Sequence, residues 1–196
     1  MRGIYSALLG AFDKDGQVDP QSVHELVRHN IEKCHVDGLY VNGSTGENFM
    51  MTTEAKRQVF SLAIEAANSE ISMIAHIGSN VLEETLELAE CVAEMGYDAV
   101  SAVTPFYYRF TPEEIKDYYR AISSASELPV IAYYIPALTG VELSVADIEE
   151  ILQLPNVMGL KFTSNDFFTL ERLRYDMPNK LIFSGYDEML LSAAVL

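Results

Sequence analysis

Short apolar runs alternate with helix-patterned stretches along the whole chain, and this alternation limits the possible folds more tightly than any other feature. The apolar runs cover residues 4–9, 38–41, 71–77, 99–104, 130–135, 157–163 and 180–184. Each leads into a stretch with apolar residues at helical spacing. The predicted helices are 23–33, with Asp19-Pro20 as its start, 53–67, 82–95, 112–124 behind the cap residue Thr111, 144–152, 167–175, and a last one from residue 188. Near-continuous apolar strands separated by helices call for a parallel sheet covered by helices. An open doubly wound sheet and a (β/α)8 barrel both meet that description. No G-x-G-x-x-G follows the first run, which weighs against the dinucleotide-binding sheet.

The expected fold is therefore an α/β TIM barrel in a single domain over residues 1–196. Such a barrel usually takes about 250 residues. With 196 residues, the expectation is a C-terminally incomplete barrel of about seven βα units, lacking its eighth strand.

Charge narrows the partners. Thirteen Lys and Arg face 29 Asp and Glu, a net charge of −16. That balance gives no electrostatic footprint for nucleic acid or for an anionic membrane. No apolar run reaches the length of a membrane span, and the first residues lack a signal-peptide core. Cys34 and Cys91 stand far apart, outside any metal or redox spacing, and read as core thiols of a reduced, cytoplasmic protein. His24, His29 and His35 lack a fourth ligand and read as surface or packing residues. His76, near the end of the third run, reads as packing, and Met50 and Met51 as core or loop filler. No metal site is expected.

The chemistry of either α/β architecture sits at the C-terminal ends of the strands. After the second run comes Gly43-Ser44-Thr45-Gly46-Glu47, two hydroxyls between glycines before a helix, suited to holding a carboxylate or phosphate on backbone N–H groups. After the fourth comes Thr104-Pro105-Phe106-Tyr107-Tyr108. The fifth ends in Tyr133-Tyr134-Ile135-Pro136, where one of the two tyrosines should point into a barrel lumen. The sixth carries Lys161 amid apolar residues, on the face of Val157, Gly159 and Thr163. A lysine held away from water loses its proton more readily and becomes the nucleophilic amine of Schiff-base chemistry. At a strand end it could equally reach water along its stem. After the seventh run comes Gly185-Tyr186-Asp187-Glu188, acids in a first helical turn.

Taken in order, these five motifs resemble the dihydrodipicolinate synthase / N-acetylneuraminate lyase superfamily of Schiff-base (class I) aldolases, from about Gly3 to the last residue. The resemblance implies a pyruvate-dependent lyase on a TIM barrel that needs no cofactor beyond the covalent Schiff base on Lys161. It implies that Tyr133 shuttles protons and donates to the substrate carboxylate. It also implies a hydroxyl relay of Ser44 and Tyr107, the second tyrosine being lent by a neighbouring subunit. Ser44 and Thr45 would hold the pyruvate carboxylate, and Thr163, Gly185, Asp187 and Glu188 the sugar portion. The family is typically a homotetramer built as a dimer of dimers.

Within the family, synthases usually carry an arginine shortly after the fifth-strand proline. Here the segment reads Pro136-Ala137-Leu138-Thr139-Gly140. With the Gly-Tyr-Asp-Glu loop, it is more similar to the sialic acid lyases, which cleave N-acetylneuraminate to N-acetylmannosamine and pyruvate. Two alternatives stay open: a dihydrodipicolinate synthase or 2-keto-3-deoxy sugar acid aldolase, and an inactive homologue acting only through subunit association. Leu9-Gly10-Ala11-Phe12 departs from the Thr-Pro-Phe common after the first strand, and Tyr134 stands where some members carry Asn or Ser.

Overall fold

The computed structural model describes residues 1–196. Seven strands follow one another in chain order in one sheet, and each is followed by at least one helix, as the alternating pattern predicts. The chain divides into two compact units, residues 1–77 with 83–100, and residues 78–82 with 101–196.

The first unit holds β1 (Tyr5–Ala7), α1 (Pro20–Glu32), β2 (Gly38–Val41), α2 (Thr53–Ala67), β3 (Ser72–His76) and most of α3 (Leu82–Met95). β1 pairs parallel with β2, and β2 with β3, in the register Tyr5↔Gly38 and Gly38↔Ser72. Caps fix the helices. Asp19 accepts the Gln21 N–H at the start of α1, and Thr52 accepts the Ala55 N–H at the start of α2. α1 packs on α2, where Arg28 binds Glu70 at 2.7 Å and the Ala66 carbonyl at 3.3 Å. Lys56, only 3% exposed, is paired with Glu84 at 2.8 Å, joining α2 to α3. A lysine this deep needs such a partner, because an unpaired buried charge is costly.

The second unit holds the end of β4 (Ala99–Val103), α4 (Pro112–Ala125), β5 (Val130–Tyr134), a short α5 (Pro136–Thr139), α6 (Val145–Leu152), β6 (Val157–Phe162), α7 (Phe167–Asp176), β7 (Leu181–Ser184) and α8 (Leu190–Val195). Capping boxes open α4, between Thr111 and Glu114, and α6, between Ser144 and Asp147. Lys116 gathers Glu113, Asp147 and Glu150 within 3.3 Å and so ties α4 to α6. β5 pairs parallel with β6, and β6 with β7.

The sequence-predicted strands run one or two residues long at several ends. The ladder bonding nevertheless continues past β6 and β7: the Thr163 N–H donates to the Tyr134 carbonyl and the Gly185 N–H to the Phe162 carbonyl, both at 2.9 Å. Two short elements escaped the periodicity reading, α5 and the 3-10 turn Asn48–Met50, each too brief to show a repeat. The helix predicted from residue 188 opens as the 3-10 turn Asp187–Met189 before α8. One burial expectation is corrected: Cys34 is exposed and Cys91 half-buried, so neither is a fully buried core thiol. Met50, 84% exposed, takes the loop place of the two expected for it. No helix is long and apolar enough to cross a membrane.

Candidate active site

β6 brings its lysine opposite a tyrosine through an irregularity in the strand. Val130 of β5 pairs with Val157, but the next pair is Ile131 with Gly159, so Met158 is an extra residue on β6. Without that slip Tyr134 would face Lys161. With it, Tyr133 pairs with Lys161 and Tyr134 with Phe162. Because a one-residue shift exchanges strand faces, this bulge decides which phenol the amine meets.

The two tyrosines then diverge. Lys161 Nζ lies 4.1 Å from the centre of the Tyr133 ring. Tyr133 is 3% exposed. Tyr134 stacks on Phe162 on the opposite face, ring centres 5.7 Å apart, and its phenol oxygen lies 3.4 Å from the Leu143 N–H that donates to it. Of the two tyrosines left open by the residue pattern, the one that meets Lys161 is therefore Tyr133. Burial lowers the Lys161 pKa from the ordinary lysine value to about 8. Of order one tenth of such a lysine is the neutral amine at pH 7. A cation over a ring face is favourable, so the phenol ring also tolerates the ammonium form.

Two residues beyond the lysine, Thr163 is 4% exposed and its hydroxyl finds no hydrogen-bond partner. Gly185 comes against it. A Cβ on Gly185 would lie 1.7 Å from Thr163 Oγ1, so only glycine permits this approach. The sequence singled out both residues; the structure brings them together. Asp187 and Glu188 follow on the exposed 3-10 turn.

In the first unit, Gly43–Glu47 leads into the 3-10 turn Asn48–Met50 rather than into α2, correcting the expectation of a loop directly before a helix. The Gly46, Glu47 and Asn48 N–H groups are used inside the turn, on the carbonyls of Gly43 and Ser44. Those of Ser44 and Thr45 take no part in it, and both residues are exposed. Two adjacent hydroxyls and two uncommitted N–H groups form a small donor cluster suited to an anion. Asn42 anchors it, a role the sequence reading missed. Its backbone is left-handed, with φ 57°, and its side chain donates to the Lys56 carbonyl at 3.0 Å. Its carbonyl lies 2.9 Å from His76 Nδ1, so His76 donates there from the end of β3. The Asn-Gly pair was the available signal, since asparagine is among the few residues that adopt this conformation readily.

Tyr107 stands apart, 84% exposed, with a left-handed φ of 81° and its ring edge-on to Tyr108. The Phe106 N–H, donating to Asn80 at 2.9 Å, holds the start of this loop. His24, His29 and His35 are all exposed, and no three His, Cys, Asp or Glu side chains are grouped as metal ligands.

All 196 residues match the dihydrodipicolinate synthetase family. The N-acetylneuraminate lyase of Clostridium perfringens is 50% identical over 196 residues, all of this chain and 68% of the relative. A solved structure from Clostridium difficile, in complex with mannosamine, superposes with a TM-score of 0.98 at 51% identity, covering 100% of this chain and 67% of that one. The N-acetylneuraminate lyase of Fusobacterium nucleatum, complexed with pyruvate, does so at 0.93 and 49%, covering 100% and 66%. Matched from its first residue to its last, this chain belongs to the dihydrodipicolinate synthetase family.

Proposed function

We propose that this chain is a Schiff-base lyase that cleaves N-acetylneuraminate to N-acetylmannosamine and pyruvate. The observation that carries the reading is Lys161, an amine with its pKa lowered to about 8, placed 4.1 Å over the ring of Tyr133. The neutral amine attacks the C2 ketone of the open sugar acid. Loss of water from the carbinolamine leaves an iminium. A base then takes the proton of the C4 hydroxyl, the C3–C4 bond breaks, and its electron pair neutralises the iminium as an enamine. The aldehyde leaves as N-acetylmannosamine. Protonation at C3 and addition of water release pyruvate and regenerate the lysine amine.

Tyr133 is the proton carrier in these steps, being the phenol that pairs with the lysine. Ser44 and Thr45 take the substrate carboxylate, for which their uncommitted donors suit them. Ser44 also joins Tyr107 in the hydroxyl relay. Tyr107 acts from a neighbouring subunit of a homotetramer, in keeping with a ring that stands in solvent. Thr163, Gly185, Asp187 and Glu188 take the polyol, acceptors being worth more to it than another cation. Leu138, 68% exposed after β5, supplies no charge for a second carboxylate, which favours the lyase over the synthase. The names of the relatives agree. No cofactor enters the sequence of steps.

The test uses the 196-residue chain. Borohydride added with pyruvate should fix a three-carbon adduct on Lys161, located by mass spectrometry of the digest. Equal labelling of Lys161→Ala would end the assignment. Pyruvate release from a panel of 2-keto sugar acids then identifies the substrate.

A further inference from the structure

Behind Tyr133 stands a second tyrosine that the proposed chemistry does not use. Tyr118 and Tyr119 are adjacent on α4, but Tyr119 is 1% exposed and reaches the sheet. Its hydroxyl donates to the Ala102 carbonyl of β4 at 2.8 Å, and the Tyr133 N–H of β5 donates to it at 3.3 Å. The Tyr133 carbonyl lies 3.4 Å from the same oxygen. One phenol oxygen thus bridges β4 and β5 at the residue that bears the proton carrier. Two residues earlier, the Ser101 hydroxyl donates to the Ile131 carbonyl at 2.9 Å and so fixes the same stretch of β5 again.

We propose that Tyr119 is a positioning residue for proton transfer: its hydroxyl, set between β4 and β5, fixes the backbone of Tyr133 and so the reach of that phenol toward the carbon bound to Lys161. This rests on the reading of Lys161 and Tyr133 given above. Tyr119 touches no substrate. Burial holds its phenol well above the ordinary tyrosine value, so it remains a neutral donor throughout the working range. Proton transfer is sensitive to small displacements of the carrier, whereas iminium formation at Lys161 requires no movement of Tyr133.

The readout is exchange of the pyruvate methyl hydrogens for deuterium in heavy water. The Lys161 iminium loses a C3 proton to the carrier, becomes the enamine, and takes a deuteron back. Tyr119→Phe should lower the exchange turnover about tenfold while leaving the half-saturating pyruvate concentration unchanged. In a Tyr133→Phe background the same change should cost nothing more. Placing 4-aminophenylalanine at position 119 keeps a donor at the para position and should restore turnover to within about threefold.

Unchanged exchange in Tyr119→Phe overturns the proposal. So does an equal tenfold loss in the Tyr133→Phe background, which would mark a general structural defect, and so does a folded amino variant as slow as the phenylalanine one. A wild-type chain that exchanges pyruvate but leaves N-acetylneuraminate intact removes the substrate reading and not this one. A wild-type chain that does neither overturns both.

Discussion

In the proposed reaction Lys161 serves as the nucleophile because burial and protonation are coupled. Its surroundings favour the uncharged form, and a pKa near 8 places its titration within the physiological range. Below pH 8 the nitrogen holds its proton and has no lone pair to attack a ketone. Above it the amine is neutral. Turnover per encounter, kcat/KM for pyruvate release, should therefore rise about tenfold per pH unit on the acid side and level off near pH 8. A profile that is flat from pH 6 to 9 would remove Lys161 as the ionising nucleophile. Gly185 and Thr163 show the reverse dependence, in which a missing side chain matters. The hydroxyl of Thr163 occupies the space that a Cβ on residue 185 would need.

At the scale of the element, β6 owes its usefulness to an irregularity. The bulge at Met158 moves the register by one residue between Val157 and Gly159 and sets Lys161 beside Tyr133. Gly159 then sits so close to β7 that an added Cβ would lie 2.3 Å from the Leu181 carbonyl oxygen. Backbone cannot give way as a flexible side chain can. Gly159→Ala is expected to cost about 1–3 kcal/mol of stability, through strand displacement. Because Lys161 lies two residues on, the variant should also form the borohydride-trapped adduct more slowly. Thermal unfolding and adduct yield measure the two effects. Wild-type values for both would mean that β6 and β7 do not approach this closely.

For the whole molecule, net charge sets the response to salt. At −16, self-repulsion opposes the compact state, while pairs such as Arg28–Glu70 and Lys116–Glu150 offset it only locally. Exposed pairs each contribute little, typically about 0–1 kcal/mol. Raising sodium chloride from about 10 mM to about 300 mM shortens the screening distance from about 30 Å to below about 8 Å. The midpoint of thermal unfolding should rise over that interval. A fall would show that the ion pairs between helices outweigh the net repulsion.

The strand and helix alternation, the helix caps and the order of the motifs were legible in the sequence, because each depends on residues within a turn or two of one another. Asp19 and Thr111 announce their helices from the chain itself, and the regular spacing of apolar residues does the rest. Membership of the family followed from the motifs alone. Lys161 could be suspected from its apolar neighbours, but its lowered pKa could not be read there, because desolvation comes from atoms distant in sequence. Periodicity alone left the choice between Tyr133 and Tyr134 open, and only the resemblance pointed to Tyr133, because a bulge at Met158 leaves no mark in hydrophobic patterning. Nor could the sequence seat the Tyr119 hydroxyl between two strands or press Gly185 against Thr163. Local patterns set the elements, whereas register, burial and close approach are properties of paired strands, and those only the tertiary structure decided.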